Sequence, residues 1–388
     1  MKRLTIPSLA ALIALAAPCG LKADGTTPWV SVTAGDRPRG IAVGDVERNG
    51  NPDLIVANFG SPSFIGQPMP AGSQGTLQLF SPSASGLQLK TTLAVGAGPR
   101  DCAFVPVGAR WGIVLVTLYG EDKLKAYRWE SDRFTLVQTV DTGHQPVGVT
   151  AARLGSGPGY SAVVCDFGSS TVSVYPIDAV GQLGARVVVP SGPGPVQAAV
   201  GDLDGDGVPE IAVACLPSQQ VQVFKRQGAA DPAAYALSRT LALPPASDPS
   251  DLRIVDLNGD GRNDLVVANF AGKNLTVYPQ NAAHTLDLPQ TAAASGASVN
   301  GMAVGVLKPG QNPTVALANR DSDTVDFFRW TAKGLTLLKT VTVADGTDHA
   351  MGPVEAALID TNQDGTLELA VTHMRTGTVR VVSLKDIP

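Results

Sequence analysis

Short apolar segments alternate with polar loops along the chain in a pattern that repeats seven times. In four copies, an apolar run such as AAVGD leads into an acidic loop, a second apolar run follows the loop, and a third lies beyond a short polar turn. Three further copies, at 102–120, 149–168 and 302–321, keep the flanking runs but lack the acids. Apolar runs of this length, bounded by glycine-rich and polar turns, predict β-strands.

The spacing of these copies predicts the architecture. They begin near residues 45, 105, 153, 202, 256, 306 and 360, a period of about 50 residues, which favours a β-propeller. Each unit has three clear strands and a weaker outer one, as at 87–92 and 134–140. The last unit lacks its outer strand, whereas 29–33 lacks a partner, so we expect the N-terminal strand to complete the last blade and close the ring. We therefore predict an all-β, seven-bladed propeller over residues 24–388.

The N-terminal segment and the net charge bear on location and partners. Residues 1–23 combine Lys2 and Arg3 with a short apolar run, which predicts a bacterial signal peptide cleaved near Ala23; lipid attachment at Cys19 stays open. Loss of three basic residues moves the formal charge from −5 to −8. With no basic run and no other long apolar segment, we expect no nucleic-acid partner, no transmembrane segment, and a monomer that is secreted, periplasmic or on the cell surface.

The acidic loops predict metal sites. Each has an acid at position 1, an acid or amide at 3 and 5, glycine at 6 and an acid at 9. The candidate ligands are Asp45, Glu47, Asn49 and Asp53; Asp202, Asp204, Asp206 and Glu210; Asp256, Asn258, Asp260 and Asp264; and Asp360, Asn362, Asp364 and Glu368. Calcium takes six to eight oxygens, and clustered carboxylates repel one another without a cation. We expect up to four structural Ca²⁺ ions, the alternative being acidic turns without metal. The flanking strands and a valine at position 12 exclude an EF-hand.

The acidic loop followed by a short apolar strand resembles the FG-GAP, or VCBS, repeat of integrin α-subunits and many exported bacterial proteins. The resemblance covers nearly the whole chain after residue 23 and implies a seven-bladed propeller with calcium between the first and second strands of a blade. The three units without acids should bind none. Segments such as GDRPRGIAV and TGHQPVGVT also resemble YVTN-type propeller repeats. A propeller fold does not by itself determine a function.

Candidate ligand-binding residues lie on loops that enter the first strands or leave the second strands. We expect these loops to form a binding mouth at the end of the central channel opposite the acidic loops. The candidates are Arg39, Arg100, Asp101, His144, Asp166, Asp251, Asn300, His349, Glu355 and His373. An alternative interpretation is that these polar groups only cap strand ends and hydrate the channel.

Two functions remain open from the sequence. The first is a non-enzymatic scaffold that displays the mouth to an unknown protein or glycan. The alternative is a propeller enzyme, such as a lactonase-like hydrolase or a polysaccharide lyase, that uses His144, His349 or His373 with nearby acids. The motifs GxSxG, HExxH and CxxC are absent from the sequence, which favours the scaffold.

Overall fold

The computed structural model describes residues 29–61, 65–108, 111–155, 159–228, 234–344 and 352–388. These residues form 28 strands in seven antiparallel four-stranded sheets, and none of them is helical. The predicted all-β, seven-bladed propeller is therefore confirmed. Among the described residues we find no helix of the length and apolar character needed to cross a bilayer.

Each blade uses four consecutive strands, except the last. Blades 1 to 3 comprise β2 (Pro38–Gly44), β3 (Asp53–Asn58), β4 (Gly75–Ser83), β5 (Gly86–Gly96); β6 (Pro99–Val107), β7 (Trp111–Leu118), β8 (Lys123–Glu130), β9 (Arg133–Asp141); and β10 (Pro146–Ala152), β11 (Tyr160–Asp166), β12 (Thr171–Ile177), β13 (Val187–Pro190). Blades 4 to 6 comprise β14 (Pro195–Gly201), β15 (Glu210–Cys215), β16 (Gln220–Gln227), β17 (Ala234–Ala242); β18 (Pro249–Val255), β19 (Asp264–Asn269), β20 (Asn274–Tyr278), β21 (Gln290–Ala293); and β22 (Val299–Gly305), β23 (Thr314–Asn319), β24 (Thr324–Thr331), β25 (Gly334–Thr342). Blade 7 comprises β26 (Pro353–Ile359), β27 (Glu368–His373), β28 (Thr378–Ser383) and β1 (Trp29–Thr33).

The N-terminal strand closes the ring. β1 pairs antiparallel with β28, from Trp29 opposite Val382 to Thr33 opposite Thr378. The Arg380 guanidinium, itself buried, lies 4.4 Å from the centre of the Trp29 ring. The predicted completion of the last blade by residues 29–33 is thus confirmed, and this edge of β28 is paired within the chain.

Burial explains why some strands were clearer in the sequence than others. All six residues of β15 and of β19 are buried, because each second strand lies between two neighbouring sheets. Such strands read as continuous apolar runs. The outermost strands face solvent on much of their surface; β17, for example, has no fully buried residue. Their sequences therefore carry a weak signal.

Crowding between neighbouring innermost strands favours glycine at the last position of β2, β14 and β22. A Cβ on Gly44 would lie 2.0 Å from a ring carbon of Phe104 in the next blade. A Cβ on Gly201 would similarly meet Ile254 at 2.4 Å. Real Cβ atoms do not approach other atoms so closely, and thus any larger residue would push the blades apart.

We expect removal of β1 to destabilise the whole ring, because β28 would gain an unpaired edge and Val382 would lose its cover. A variant lacking residues 1–33 should melt at least about 5 °C below a variant lacking only residues 1–28, and it should self-associate. Circular dichroism melting and analytical ultracentrifugation would measure both effects. Equal melting temperatures and equal monomer fractions for the two truncations would contradict this role of β1.

Candidate ligand site in the central channel

The seven innermost strands share one irregularity near the channel. In each of them the register with the second strand shifts within the first four residues, as between Pro38 and Gly40 or between Pro195 and Gln197. The third residues of these strands form a ring that we call the girdle. Its members are Gly40, Asp101, Gly148, Gln197, Asp251, Gly301 and Glu355.

The girdle glycines make room for side chains from the next blade. A Cβ on Gly148 would lie 2.5 Å from Oε1 of Gln197, and one on Gly301 would lie 2.4 Å from the carboxyl carbon of Glu355. Gly40 is similarly covered by Asp101, whose Cα would lie 2.6 Å from such a Cβ. Asp101, Gln197 and Glu355 therefore fit because the preceding blade contributes glycine, whereas Asp251 follows Gln197.

Two girdle aspartates join neighbouring blades. Asp101 accepts the backbone N–H of Val149 in the next blade at 3.0 Å, and Asp251 accepts that of Met302 at 2.9 Å. Burial raises the pKa of both carboxyls, whereas backbone N–H donors and, at Asp251, the Arg253 guanidinium oppose this rise. Both predicted candidates lie in the girdle, but much of their hydrogen-bonding capacity is used for structure.

Glu355 is the girdle carboxyl that is free to act on a ligand. Its carboxylate makes no hydrogen bond to the residues that the structure describes, although it lies inside the channel. Burial raises its pKa well above the usual range, and the negative charges of Asp251 and Asp101 raise it further. Arg253 and Arg100 act in the opposite direction. Glu355 therefore keeps its proton to a higher pH than an ordinary glutamate does.

The main cavity lies between the girdle and the acidic loops, and we call it the chamber. Its volume is about 330 Å³. Polar groups of Asp101, Gln197, Arg253 and Glu355 line the chamber at its girdle end. Apolar side chains, those of Ile41, Phe104, Val149, Val200 and Ile254, also line it, but polar atoms make up slightly more of its exposed lining than apolar ones. A concave cavity into which several polar groups converge is a candidate small-molecule site.

The chamber lies on the other side of the girdle from the binding mouth that the sequence predicts, and that mouth stays a prediction. We expected the site at the channel end opposite the acidic loops. On that side the described residues enclose a narrow space of about 40 Å³, the throat, beside Arg100, Asn300 and Glu355. The larger cavity instead lies in the half of the channel from which the acidic loops extend, because side chains crowd the other half.

Two predicted mouth residues point away from the channel. Asp166 is buried and accepts hydrogen bonds from hydroxyls in its own blade, including that of Ser173 at 2.5 Å. His373 is also buried, with Nε2 3.0 Å from the Asp323 carboxylate and Nδ1 2.9 Å from the Thr376 hydroxyl. Side chains alternate along a strand, so the residue that ends each second strand faces the blade interior. The prediction that Asp166 and His373 line the mouth is therefore corrected.

The residues directly after the second strands lie where the sequence predicted Asp166 and His373, around the end of the channel. Each donates its backbone N–H to the carbonyl just before an innermost strand, so all seven lie around the same end of the channel. We call them the exit ring: Phe59, Tyr119, Phe167, Leu216, Phe270, Arg320 and Met374. Six of the seven are large and apolar, a recurrence in the sequence that could have identified them.

The remaining candidates are dispersed. His144 is exposed and pairs through Nδ1 with Asp122 at 2.9 Å. Arg39 is buried over the Phe59 ring. His349 lies outside the described residues. No histidine of the described part of the chain lies in the girdle or lines the chamber.

The four acidic loops share one hydrogen-bonded conformation. The carboxylate at position 9 is buried and accepts the N–H of position 2, and the aspartate at position 1 accepts the N–H of the position-6 glycine. The position-9 and position-2 pairs are Asp53 with Val46, Glu210 with Leu203, Asp264 with Leu257, and Glu368 with Thr361. These contacts hold the oxygens at positions 1, 3, 5 and 9 in one compact loop.

The blade-4 loop fits a cation best. Oxygens of Asp202, Asp204 and Glu210 lie within 4.8 Å of one another. One oxygen of Glu210 and one of Asp204 are buried without a hydrogen-bond partner. Burial raises the pKa of Glu210 to about 7. Buried oxygens without donors, grouped in this way, are suitable ligands for a hard cation such as Ca²⁺. The Lys225 ammonium pairs here with Asp204 and, at 2.7 Å, with Asp206.

The other loops also have a basic side chain nearby, but their position-9 carboxylates are better satisfied. Asp53 accepts the Ser81 hydroxyl at 2.6 Å, and Asp264 accepts the backbone N–H of Gln280 at 2.9 Å. The ion pairs at these loops are Lys90 with Glu47 at 3.2 Å, Arg262 with Asp260, and Lys385 with Asp364 at 3.6 Å. The loops therefore share a backbone shape but differ in how much negative charge remains uncompensated.

Comparison with known proteins supports the fold. No protein-family model matches the chain, and no curated protein matches its sequence. Among solved structures, the periplasmic gluconolactonase of Pseudomonas aeruginosa has a TM-score of 0.57 and 21% identity, over 80% of this chain and 87% of that one. Virginiamycin B lyase from Staphylococcus aureus has a TM-score of 0.59 and 10% identity, over 92% and 99%. A putative 6-phosphogluconolactonase of Bacteroides fragilis has a TM-score of 0.55 and 18% identity, over 81% and 94%. At these identities the likeness shows a shared propeller fold.

The raised pKa of Glu355 predicts a pH-dependent effect of its removal. A carboxyl whose pKa is higher in the folded state contributes stability below its unfolded pKa, and this contribution is lost as the pH rises through the folded value. Glu355→Gln should therefore change the melting temperature little at about pH 4 and raise it by about 2 °C or more at about pH 9. The control Glu130→Gln alters a partly exposed carboxylate paired with Arg128. Thermal unfolding at both pH values tests this, and an equal effect of Glu355→Gln at both would contradict it.

Proposed function

We propose that the protein is a propeller hydrolase that opens a small lactone in the chamber. The observation that carries this proposal is Glu355, a carboxyl with a raised pKa and no hydrogen-bond partner among the described residues, which lines the chamber together with Arg253. Hydrolysis of a lactone is accelerated by a base that activates water and by a cation or hydrogen-bond donor that stabilises the oxyanion. Glu355 and the neighbouring Arg253 supply both.

The proposed chemistry uses only groups that line the chamber. The Glu355 carboxylate removes a proton from a water molecule while the oxygen of that water bonds to the lactone carbonyl carbon. The Arg253 guanidinium, held by the Met302 carbonyl at 3.0 Å, stabilises the oxyanion. When the carbonyl re-forms, the bond to the ring oxygen breaks, and Glu355 returns its proton to that oxygen. The product is a hydroxy acid, with the water accounted for and no other reactant required.

The size of the chamber and the comparisons favour a small substrate. About 330 Å³ is near the lower end of ligand pockets and suits a single sugar-sized ring rather than a polymer. Two of the structures named above are a gluconolactonase and a putative 6-phosphogluconolactonase. The proposal keeps the lactonase-like alternative but replaces the histidines with Glu355, because His144 is exposed and His373 has both ring nitrogens hydrogen-bonded.

The second candidate is a binding scaffold without turnover. It is favoured by the use of Asp101 and Asp251 to join neighbouring blades, which gives part of the girdle a structural task. In this case the channel would bind a ligand, or a protein or glycan partner, without converting it. Export through residues 1–23 is part of both candidates and likewise remains a proposal.

Hydrolysis of glucono-1,5-lactone, followed by pH-stat titration against the uncatalysed rate, tests the first candidate. We expect Glu355→Gln to lower kcat/KM by about 10²- to 10⁴-fold. Gly301→Ala should also lower it, because the added Cβ would displace the Glu355 carboxyl. The matched control is Gly159→Ala, whose Cβ would approach another atom no closer than 3.9 Å.

The outcomes separate the two candidates. Rate acceleration lost in Glu355→Gln but kept in Gly159→Ala supports the hydrolase. Binding of the lactone or of gluconate in calorimetry without turnover supports the scaffold instead. Neither turnover nor binding, for glucono-1,5-lactone and a panel of smaller and phosphorylated lactones, would reject this use of the chamber.

We also propose that Ca²⁺ binds the acidic loops and stabilises the propeller. Up to four ions would compensate carboxylates that lie close together, with the blade-4 loop supported most directly by its unpartnered oxygens. This role is separate from hydrolysis, because the loops lie outside the girdle that holds Glu355. A ligand that binds only the folded state stabilises it in proportion to its concentration and affinity.

A chelator should therefore lower the melting temperature, and added Ca²⁺ should restore it. Saturation at about 100-fold above the dissociation constant contributes about 2.7 kcal/mol for each site. Glu210→Gln should reduce the number of ions bound by one in calorimetry, whereas Glu130→Gln should leave it unchanged. An unchanged melting curve with chelator, or equal ion counts for the two variants, would reject the calcium proposal.

A further inference from the structure

A cluster of arginines lies on the throat side of the girdle. Arg39 is the second residue of β2, Arg100 is the second residue of β6, and Arg320 directly follows β23. Burial lowers the pKa of Arg39 most, and the positive charges of Arg100, Arg320 and Arg37 lower it further. Arginines from blades 1, 2 and 6 therefore converge at one end of the channel.

Arg39 is a buried cation without an anionic partner. Only 8% of its surface is exposed, and its Nε is buried with no hydrogen-bond partner. Its guanidinium lies 4.8 Å from the centre of the Phe59 ring, and it forms no ion pair with the described residues. Burial of a charge is costly unless a counter-charge and hydrogen bonds compensate it, and an aromatic ring recovers only part of that cost.

The carboxylates near the two other arginines do not compensate the charge of Arg39. Arg320 is neutralised by its neighbour Asp321, which it contacts at 2.9 and 3.1 Å. Arg100 interacts with the charges of Asp101 and Glu355, on the girdle beneath it. Neither carboxylate is among the groups that act on Arg39 most strongly, whereas three positive charges are. The cluster thus has one guanidinium more than the described carboxylates compensate.

The surroundings of the cluster are apolar and aromatic. Phe59 and Tyr119 of the exit ring lie with their ring centres 5.9 Å apart, and Arg320 stacks on Phe270 at 4.7 Å. Met374 and Phe167 belong to the same ring. The throat beside Arg100 has a volume of about 40 Å³, enough for one small group. A ligand that suits this end has an anionic head and an apolar body.

We propose that the throat end of the channel binds an organic carboxylate whose carboxylate group contacts Arg39 and whose apolar body packs against the exit ring. The planar guanidinium fork matches a carboxylate with two parallel hydrogen bonds. Arg100 and Arg320 add positive charge on either side of it. This site lies across the girdle from the chamber, and it does not depend on lactone hydrolysis.

Benzoate is a suitable probe, with inorganic phosphate as the comparison. Calorimetry and thermal unfolding of the full chain, without any lactone present, measure binding. We expect benzoate to raise the melting temperature and to bind more tightly than phosphate. Arg39→Met should weaken benzoate binding at least 10-fold, and without ligand it should raise the melting temperature because a buried like charge is removed.

Arg153 offers a matched control. It also stacks on an aromatic ring, that of Tyr160 at 5.1 Å, but it is exposed. Arg153→Met should change neither benzoate affinity nor stability. Should Arg39→Met fail to fold, Arg320→Gln provides a second test and should weaken benzoate binding at least 3-fold.

Three results would overturn the inference. The first is an Arg39→Met variant that melts lower than the wild type and binds benzoate equally well, which would make Arg39 only a packing partner of Phe59. The second is binding of phosphate without binding of benzoate. The third is equal loss of affinity in Arg39→Met and Arg153→Met. Because no turnover is measured, failure here leaves the hydrolase proposal standing, and the reverse also holds.

Discussion

Crowding at the propeller axis is the constraint on which the rest of the structure depends. Seven innermost strands meet there, and at several of their contacts a side chain from one blade fits because the neighbouring blade contributes glycine. Gly148 with Gln197 and Gly301 with Glu355 show this complementarity inside the girdle, and Gly44 with Phe104 shows it at the other end of the strands. The same crowding buries the carboxyl of Glu355, which raises its pKa. It also leaves a narrow throat on one side of the girdle and a larger chamber on the other.

The repeat itself could be predicted from sequence because its strongest signals are local. Buried second strands such as β15 read as continuous apolar runs, and the acidic loops keep a fixed spacing because their own carboxylates cap their own backbone N–H groups. The ring closure followed from counting strands. The candidate site could be predicted only in part: Asp101, Asp251 and Glu355 do lie in the girdle, but which neighbours they contact depends on packing between blades, which no single repeat encodes.

The misplaced residues have a simple geometric cause. Asp166 and His373 are the last residues of their strands, and their side chains form hydrogen bonds inside the blades. The next residue in the chain belongs to the exit ring. The sequence-based assignment of the mouth was therefore one position too early in these strands. The polar residues were selected as candidates because polar side chains can bind ligands or catalyse reactions, whereas their apolar neighbours were not considered. The chamber, on the side of the acidic loops, is lined by residues from six of the seven blades, so its shape has no signature in any one segment.

The pairing of β1 with β28 also has a consequence for how the molecule reaches its folded state. Thr33 pairs with Thr378, so the last sheet cannot be completed until nearly the entire chain has been made. Contacts so distant in sequence carry a large loop-closure entropy and are formed late. Six blades can assemble from adjacent segments, whereas the seventh couples the two ends. Ring closure therefore makes the final folding step cooperative, and a chain interrupted before β28 would be left with an open ring and two unpaired sheet edges.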